Sequence, residues 1–568
     1  MSVIDKMKFI GEDTRRRRYL NPAKIISVTG DVRNPELLLK VKSLQIGLNE
    51  PDVTVFKSNP EQNAAVVLDF GRELHGGVRL MTARLKADHG SEREDNLTER
   101  FPMVRITFGE SVAETVAGIG ERNATNDHAI RDLTVPISFL SDQEYGQTGF
   151  RFVRIELLTP GVEVTFKSIL AVMIYRELSY QGSFECSDEL VNRIYDTSAY
   201  TCHLNVQNMV WDGIKRDRLV WIGDMHPETK TICAVFGELK TLEDSLEFVR
   251  DQTPVSTWMN GIPSYSMWWL IILQELYRHN GRTAFLDRQR DYVTALLTRL
   301  CRIIHEDGSD EIGFYFFDWP SSNVPGQVTG VRGILRLALN AGIELAGVYG
   351  DERMAADCAA ARKRLDCGAE DPHELKSAAA FLALSGVEDA KKIAETKLLP
   401  GGAHGMSTFL AYYVLKAASL GGHTQEALDM MREYYGAMLD LGATSFWEDF
   451  NLDWIGDGAA RIDAPVPEGA NDIHGDHGAY CYVGLRHSLA HGWSSGPVSF
   501  LAESVLGIEI LEPGCRKMRV RPELCDLTWA KGTYPTPYGK ICVSAVKNAD
   551  GSVTTEVEAP AEVEIVRE

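Results

Sequence analysis

The hydrophobic period of this chain changes twice along its length, and that limits the folds open to it. From about residue 24 to 178, apolar and polar residues alternate in short runs broken by Gly, Pro and Asn. Ala65-Val66-Val67-Leu68-Asp69-Phe70, Val104-Arg105-Ile106-Thr107-Phe108 and the run Phe150–Leu157 are examples. Successive side chains of a strand point to opposite faces, so a period of two marks antiparallel strands with one buried face. Many such strands separated by turn residues predict an N-terminal β-sandwich over residues 1–180.

From Ser187 the period becomes helical. Ser187-Asp188-Glu189-Leu190 reads as an N-cap followed by an acidic first turn, and Leu190, Ile194 and Tyr195 recur at helical spacing. Further helices are predicted at roughly 226–238, 240–253, 265–279, 283–305, 331–349, 351–366, 372–386, 387–397, 406–420, 424–440 and 492–506. Short turns such as His279-Asn280-Gly281 and Leu420-Gly421-Gly422 imply antiparallel neighbours. Six such hairpins arranged in a ring make an (α/α)6 barrel, assigned to residues 181–507.

Past Gly507 alternation returns, in Met518–Arg521, Lys540–Ala545 and Ser552–Val557, with Asn548-Ala549-Asp550-Gly551 as a hairpin turn. The expected fold class is therefore multidomain. A central all-α (α/α)6 barrel is flanked by an N-terminal β-sandwich and by a small antiparallel β-domain at residues 508–568.

Two clusters carry the chemistry. Residues 211–224, Trp211-Asp212-Gly213-Ile214-Lys215-Arg216-Asp217-Arg218-Leu219-Val220-Trp221-Ile222-Gly223-Asp224, put three carboxylates, three cations and two tryptophans between two helices. A sugar site needs that mixture: aromatic faces for the apolar side of the ring, charged groups for its hydroxyls. A structural ion-pair network is the competing reading. The second cluster, Gly442-Ala443-Thr444-Ser445-Phe446-Trp447-Glu448-Asp449-Phe450, sets Glu448 between an aromatic residue and a second acid. Both neighbours raise a carboxyl's proton affinity.

Asp318 and Trp319 in Phe316-Phe317-Asp318-Trp319-Pro320 are weaker candidates, and so are Trp258, Tyr265, Trp268 and Trp269 as a stacking wall. His491-Gly492-Trp493 opens the last predicted helix and faces the pocket. A metal reading of His474, His477 and His491 with Asp472 and Asp476 has no fixed ligand geometry behind it, so neither metal nor cofactor is expected. No phosphate-binding loop, dinucleotide fingerprint or nucleophile elbow stands in a suitable context.

Charge and composition narrow the partners. The net charge is −21, and no basic stripe offsets it, which excludes nucleic acid. The one basic run, Arg15–Arg18, reads as a solvated terminal arm or a subunit contact. An acidic protein also favours a neutral or weakly charged glycan over a polyuronate. Ten cysteines without a CxxC pair read as reduced thiols. The opening MSVIDKMKFIGEDTRRRR lacks a signal-peptide core, and no stretch nears the ~18 apolar residues of a membrane span. A cytoplasmic protein without a membrane partner is expected.

These residues resemble the α-L-rhamnosidases of glycoside hydrolase family 78. The family's first signature, Asp-x-x-x-Arg-Asp-Glu-x-x-Gly-Trp-x-Gly-Asp, is matched at Asp212, Arg216, Asp217, Trp221, Gly223 and Asp224. Its second, Gly-Ala-Thr-Thr-x-Trp-Glu, is matched at Gly442, Ala443, Thr444, Trp447 and Glu448, with Ser445 for the second Thr. His491–Pro497 and Leu511–Gly514 resemble its last barrel helix and C-terminal β-domain. The resemblance covers roughly residues 60–545.

It implies an inverting hydrolase that releases α-L-rhamnose from a small glycoside or an oligosaccharide. The two carboxyl groups should stand about 6.5–9.5 Å apart, with a water between them. The assignment is Asp217 as acid and Glu448 as base. Asp212, Asp224 and Asp318 hold hydroxyls, Trp221, Trp268, Trp319 and Trp447 offer stacking surfaces, and Arg216 and His491 complete the pocket.

One departure matters. Arg216-Asp217-Arg218 is one residue shorter than the family's Arg-Asp-Glu-x, so the general-acid Glu is missing. Either Asp217 takes its place, or the acid position is lost. In the second case Glu228 serves instead, or the protein processes a different sugar, or it only binds carbohydrate. The N-terminal β-domain is open to three roles: support, sugar-binding module or homodimer contact. Support is favoured, because no aromatic platform stands out.

Overall fold

The computed structural model describes residues 11, 13–87, 101–238, 240–367 and 370–567; the first ten residues of the segment read for a leader lie outside them. The molecule is multidomain and rich in both helices and strands, with three sheets among the described residues.

The N-terminal unit holds β1 (Arg16–Leu20), β2 (Lys24–Thr29), β3 (Asp31–Arg33), β4 (Thr54–Lys57), β5 (Ala64–Ala87), β6 (Met103–Gly109), β7 (Asp132–Pro136), β8 (Asp142–Leu157) and β9 (Val162–Tyr175). A short helix, α1 (Val112–Val116), follows β6. The nine strands are hydrogen-bonded into one network, in the order β3-β4-β9-β5-β8-β6-β7, with β1 on β9 and β2 on β5. The 24-residue β5 is the spine and changes register at Asp69/Leu74 and Gly76/Val78. A Cβ at Gly76 would lie 1.7 Å from the Val172 carbonyl oxygen, so only glycine lets β5 meet β9 there. The alternating apolar residues converge on one core that includes Phe56, Phe108, Phe150 and Phe166. Burying each such ring contributes about 1.5–3 kcal/mol.

The basic run is not a free arm. Residues 16–20 are β1, antiparallel on β9. Arg15 pairs with Asp13 at 2.7 Å, Arg16 with Glu177 at 2.9 Å and Arg17 with Glu144 at 2.5 Å. Acids of the same chain neutralise these cations.

After β10 (Ser183–Cys186) the chain turns helical: α2 (Glu189–Asn205), α3 (Met225–Val235), α4 (Lys240–Gln252), α5 (Pro263–Asn280), α6 (Thr283–Arg302), α7 (Gln327–Tyr349), α8 (Glu352–Leu365), α9 (Lys376–Leu384), α10 (Ala390–Ile393), α11 (Ala411–Leu420), α12 (Thr424–Asp440) and α13 (Pro497–Phe500). The cap of α2 is Asp188, whose Oδ1 accepts from the Leu190 amide at 2.8 Å; the Ser187 hydroxyl instead accepts from Thr528. Helices α3, α5, α7, α9, α11 and α13 pack in succession, and α13 returns to α3. The long members α5 and α7 of this set are buried nearly all round, whereas α6 and α8 expose a polar face.

The expected helices at 406–420 and 492–506 are interrupted by irregular backbone. The segment 406–410 is a turn before α11, and 492–506 is a 3-10 turn, α13 and a π-helical turn at Leu501–Val505.

Strands β11 (Ile508–Glu512), β12 (Lys517–Val520), β13 (Trp529–Thr536), β14 (Gly539–Lys547), β15 (Val553–Glu558) and β16 (Glu564–Val566) follow. The expected all-antiparallel C-terminal domain needs two corrections. β12 and β16 pair in parallel, because the chain crosses over after β15 to reach the open edge of β12. β10, from before the helices, completes the sheet β10-β13-β14-β15. Among the described residues no helix is long and apolar enough to cross a membrane.

Candidate active site

The loop from Asp212 to Asp224 is closed by its own hydrogen bonds. The Asp212 amide donates to the Leu219 carbonyl at 3.1 Å, and the Leu219 amide donates back to Asp212 Oδ1 at 2.9 Å. Gly492 donates its amide to the Asp212 carbonyl at 2.8 Å, which ties the loop to the start of the His491–Ser495 turn. Between these anchors the side chains fan out. Lys215 reaches Glu114 at 2.9 Å and Glu110 at 3.4 Å, both in the N-terminal unit. Arg216 turns the other way. Its Nη2 donates to both oxygens of Glu448, at 2.7 and 2.6 Å.

Asp217 and Arg218 follow at φ 49° and 56°, left-handed conformations that L residues rarely adopt. The Asp217 carboxylate is partly exposed, 3.7 Å from Arg216 Nη1 and 3.4 Å from His128 Nε2. Among the described residues its Oδ1 has no hydrogen-bond partner.

Glu448 is held at every atom. Its Oε2 also accepts from the Ser488 amide at 3.0 Å, and its carbonyl accepts from Thr408 Oγ1 at 2.6 Å and Trp493 Nε1 at 2.9 Å. Burial raises the proton affinity of its carboxyl, while the Arg216 guanidinium and the Ser488 amide oppose that.

His491 sits at the centre. Its Nε2 is 3.7 Å from Glu448 Oε1, 3.7 Å from Asp224 Oδ2 and 3.9 Å from Asp212 Oδ2. Burial, with Arg216 nearby, keeps the imidazole neutral, well below its ordinary range. Burial likewise pushes Asp212 and Asp224 well above the carboxylate range, so they lend the ring little negative charge. Tyr265 donates its hydroxyl to Asp224 at 2.9 Å. The result is a cluster of neutral carboxyls, a neutral imidazole and the Arg216–Glu448 pair, which sets hydrogen-bond donors and acceptors side by side.

The structure brings Asp212, Arg216, Asp217, Asp224, Glu448 and His491 together. Trp221 stands beside this group, half-buried, edge-on to Tyr265 with centroids 6.0 Å apart. Asp318 is buried, accepts from Ser407 Oγ at 2.7 Å and is pushed up to about 6 by burial. Trp319, half-buried, lies beside the exposed Tyr480 with ring centroids 5.8 Å apart.

Two of the tryptophans expected as stacking surfaces are buried. Trp268 is 1% exposed and packed by His226, Phe381, Phe409 and Tyr413, because its position on α5 turns it into the interhelical core. Trp447, also 1% exposed, sits edge-on to Phe450. Its neighbour Glu448 takes the polar side of that turn.

Sequence reasoning missed His128, Glu110 and Glu114, which come from the N-terminal unit and carry no motif. Tyr265 was read only as part of a stacking wall. Glu228 is fully buried with no hydrogen-bond partner on either oxygen among the described residues, and burial raises it well above the carboxylate range. A Cβ on Gly492 would fall 1.6 Å from its Oε1.

The histidines and acids considered for a metal go to separate partners: His477 to Asn471, and Asp472 and Asp476 to Arg122. Glu110, Glu114 and His474 do offer ligand atoms within 4.8 Å of one another. The Lys215 ammonium already fills that role, and Ser111 Oγ lies 2.7 Å from His474 Nδ1.

Comparison with known proteins agrees with this picture. Residues 179–333 match the family described as bacterial alpha-L-rhamnosidase 6 hairpin glycosidase domain, and residues 507–566 match the bacterial alpha-L-rhamnosidase C-terminal domain. An alpha-L-rhamnosidase of Formosa agariphila is 31% identical over 166 residues, which are 28% of this chain and 16% of that protein.

Among solved structures, the GH78 family rhamnosidase of Bacillus sp. GL1 superposes with a TM-score of 0.74 at 23% identity, over 94% of this chain and 55% of its own. A rhamnosidase from Klebsiella oxytoca, solved with rhamnose bound, gives 0.64 at 17% identity, over 86% of this chain and 96% of its own. These structures share the fold. The chain spans little more than half of the first of them and about a sixth of the curated relative. Residues 179–333 and 507–566 are thus similar to two domains of bacterial α-L-rhamnosidases, and residues of both sequence signatures meet around His491.

Proposed function

We propose that this protein is an inverting glycoside hydrolase that releases terminal α-L-rhamnose from a small glycoside or an oligosaccharide. The observation that carries the reading is Arg216, which touches Glu448 and Asp217 at once and so joins two motifs more than 200 residues apart. Glu448 is the base: its contact with Arg216 opposes the rise that burial imposes on its carboxyl and favours the form able to take a proton from water. Asp217 is the acid: it is the most exposed carboxyl of the group, with one oxygen that has no hydrogen-bond partner among the described residues. Asp212, Asp224, Asp318 and His491 bind hydroxyls, and Trp221 and Trp319 offer ring faces.

The closed succession of α3, α5, α7, α9, α11 and α13 supports an (α/α)6 barrel with the site at one end. The single core inside the nine N-terminal strands supports a sandwich. The same reading puts the enzyme in the cytoplasm, where its ten unpaired thiols stay reduced.

The test is hydrolysis of aryl α-L-rhamnosides by the purified protein, with the anomer of the first-formed rhamnose read by NMR. Release of inverted rhamnose is expected. Rhamnose binding without turnover would replace this reading with a carbohydrate-binding one, and turnover of another glycoside alone would replace the sugar.

A further inference from the structure

Asp217 lies on the loop between α2 and α3, but the groups that hold its surroundings come from the N-terminal unit. His128 stands in the segment before β7, with Nε2 3.4 Å from Asp217 Oδ1 and 3.2 Å from Asp127 Oδ1. That segment is fastened to the catalytic unit on both sides. Asp127 accepts from Arg486 Nε at 3.0 Å, and the His128 carbonyl accepts from Arg218 Nη2 at 3.0 Å. Arg218 Nη1 donates to the Gln147 carbonyl, also at 3.0 Å. His128 at φ 61° and Asp217 at φ 49° are both left-handed, a conformation that persists only where the surroundings impose it.

The charged groups facing the imidazole are Asp127 and Asp217. Arg216 lies behind Asp217, Arg486 behind Asp127, and Arg218 on the His128 carbonyl. Among the described residues no hydrogen bond holds Asp217 Oδ1, and the His128 imidazole is the nearest cationic or donor group to it.

We infer that His128 is a positioning residue for Asp217: its Nε2–H turns the carboxyl so that the acid proton meets the glycosidic oxygen. The N-terminal unit then forms part of the catalytic apparatus as well as a support. This rests on the reading of Asp217 as the proton donor.

The test compares kcat and KM of His128→Ala, His128→Gln, Asp217→Asn and Asp217→Asn/His128→Ala. Substrates are an aryl rhamnoside with an activated leaving group and an alkyl rhamnoside with a poor one. His128→Ala should lower kcat about 10- to 100-fold on the alkyl rhamnoside, leaving KM and the activated substrate near the unaltered values. His128→Gln, whose amide can donate, should recover most of that loss. In the Asp217→Asn background His128→Ala should do nothing further.

Equal losses on both substrates, no loss at all, or the same added loss in the Asp217→Asn background overturn the role of His128. If Asp217→Asn itself shows no leaving-group dependence, or the unaltered chain turns over no rhamnoside, the reading of Asp217 fails and this inference falls with it. Should His128→Ala melt early, His128→Gln carries the comparison: a kcat loss on the alkyl rhamnoside as large as in Asp217→Asn would refute the positioning role.

Discussion

Arg216 Nη2 donates to both carboxylate oxygens of Glu448 across a chain separation of 232 residues, and both side chains are almost sealed from solvent. Removing one partner of such a pair leaves a buried charge behind. Arg216→Met should lower stability by about 3–5 kcal/mol in denaturant unfolding. The double variant Arg216→Met/Glu448→Gln should recover part of that, because no charge is stranded.

Glu448→Gln alone should cut hydrolysis about 10²- to 10⁴-fold while rhamnose affinity stays within severalfold by calorimetry. Activity close to that of the unaltered protein would remove Glu448 from the base role.

For Asp217→Asn the expected mark is a split between substrates. Alkyl rhamnosides should lose turnover about 10²-fold or more, and activated aryl rhamnosides far less, since a good leaving group needs little protonation. An equal loss on both would point to binding.

Glu228 tests the alternative acid. Burial keeps it protonated, so the isosteric Glu228→Gln should fold and turn over substrate almost as the parent does. A hundredfold loss would instead make Glu228 the proton donor. Gly492→Ala, which drives a methyl into Glu228, should cost about 1–3 kcal/mol or more in thermal melting.

The pH dependence of stability should contain a signature of Asp449. Burial raises its pKa from 3.8 to about 8. A carboxyl raised in the folded state contributes stability that is full below the unfolded pKa and is lost as pH rises towards the folded one. Between pH 4 and 8 the protein should therefore lose up to about 1.4 kcal/mol per pH unit from this group. Asp449→Asn should flatten the melting-temperature profile over that window, and an unchanged slope would contradict it.

Trp268 separates packing from binding. Trp268→Ala should destabilise by about 3–5 kcal/mol, as a core truncation does. An unaltered melting curve with a raised KM would restore its substrate role.

The helices and strands were legible because apolar spacing reports directly on the buried face of a local element. α5, α7 and α12 stand close to where their periodicity put them. Two of the misplaced boundaries lie at 406–410 and 492–496, where Ser407, Thr408 and Trp493 stand outside helical geometry and hydrogen-bond to Asp318 and Glu448. The same spacing could not separate a stacking tryptophan from a core one, because Trp268 satisfies both patterns until its neighbours are known.

By itself the sequence determined the order of β, α and β segments and the two signature loops. Each follows from residue type and local spacing. Only the tertiary structure decided which cation meets which carboxylate: Lys215 and Arg216 are adjacent in the chain, yet one reaches Glu114 and the other Glu448. It also brought His128 to Asp217, and it set which acids burial leaves neutral. Proton affinity depends on the solvent excluded by distant segments, and that exclusion exists only once the chain has closed.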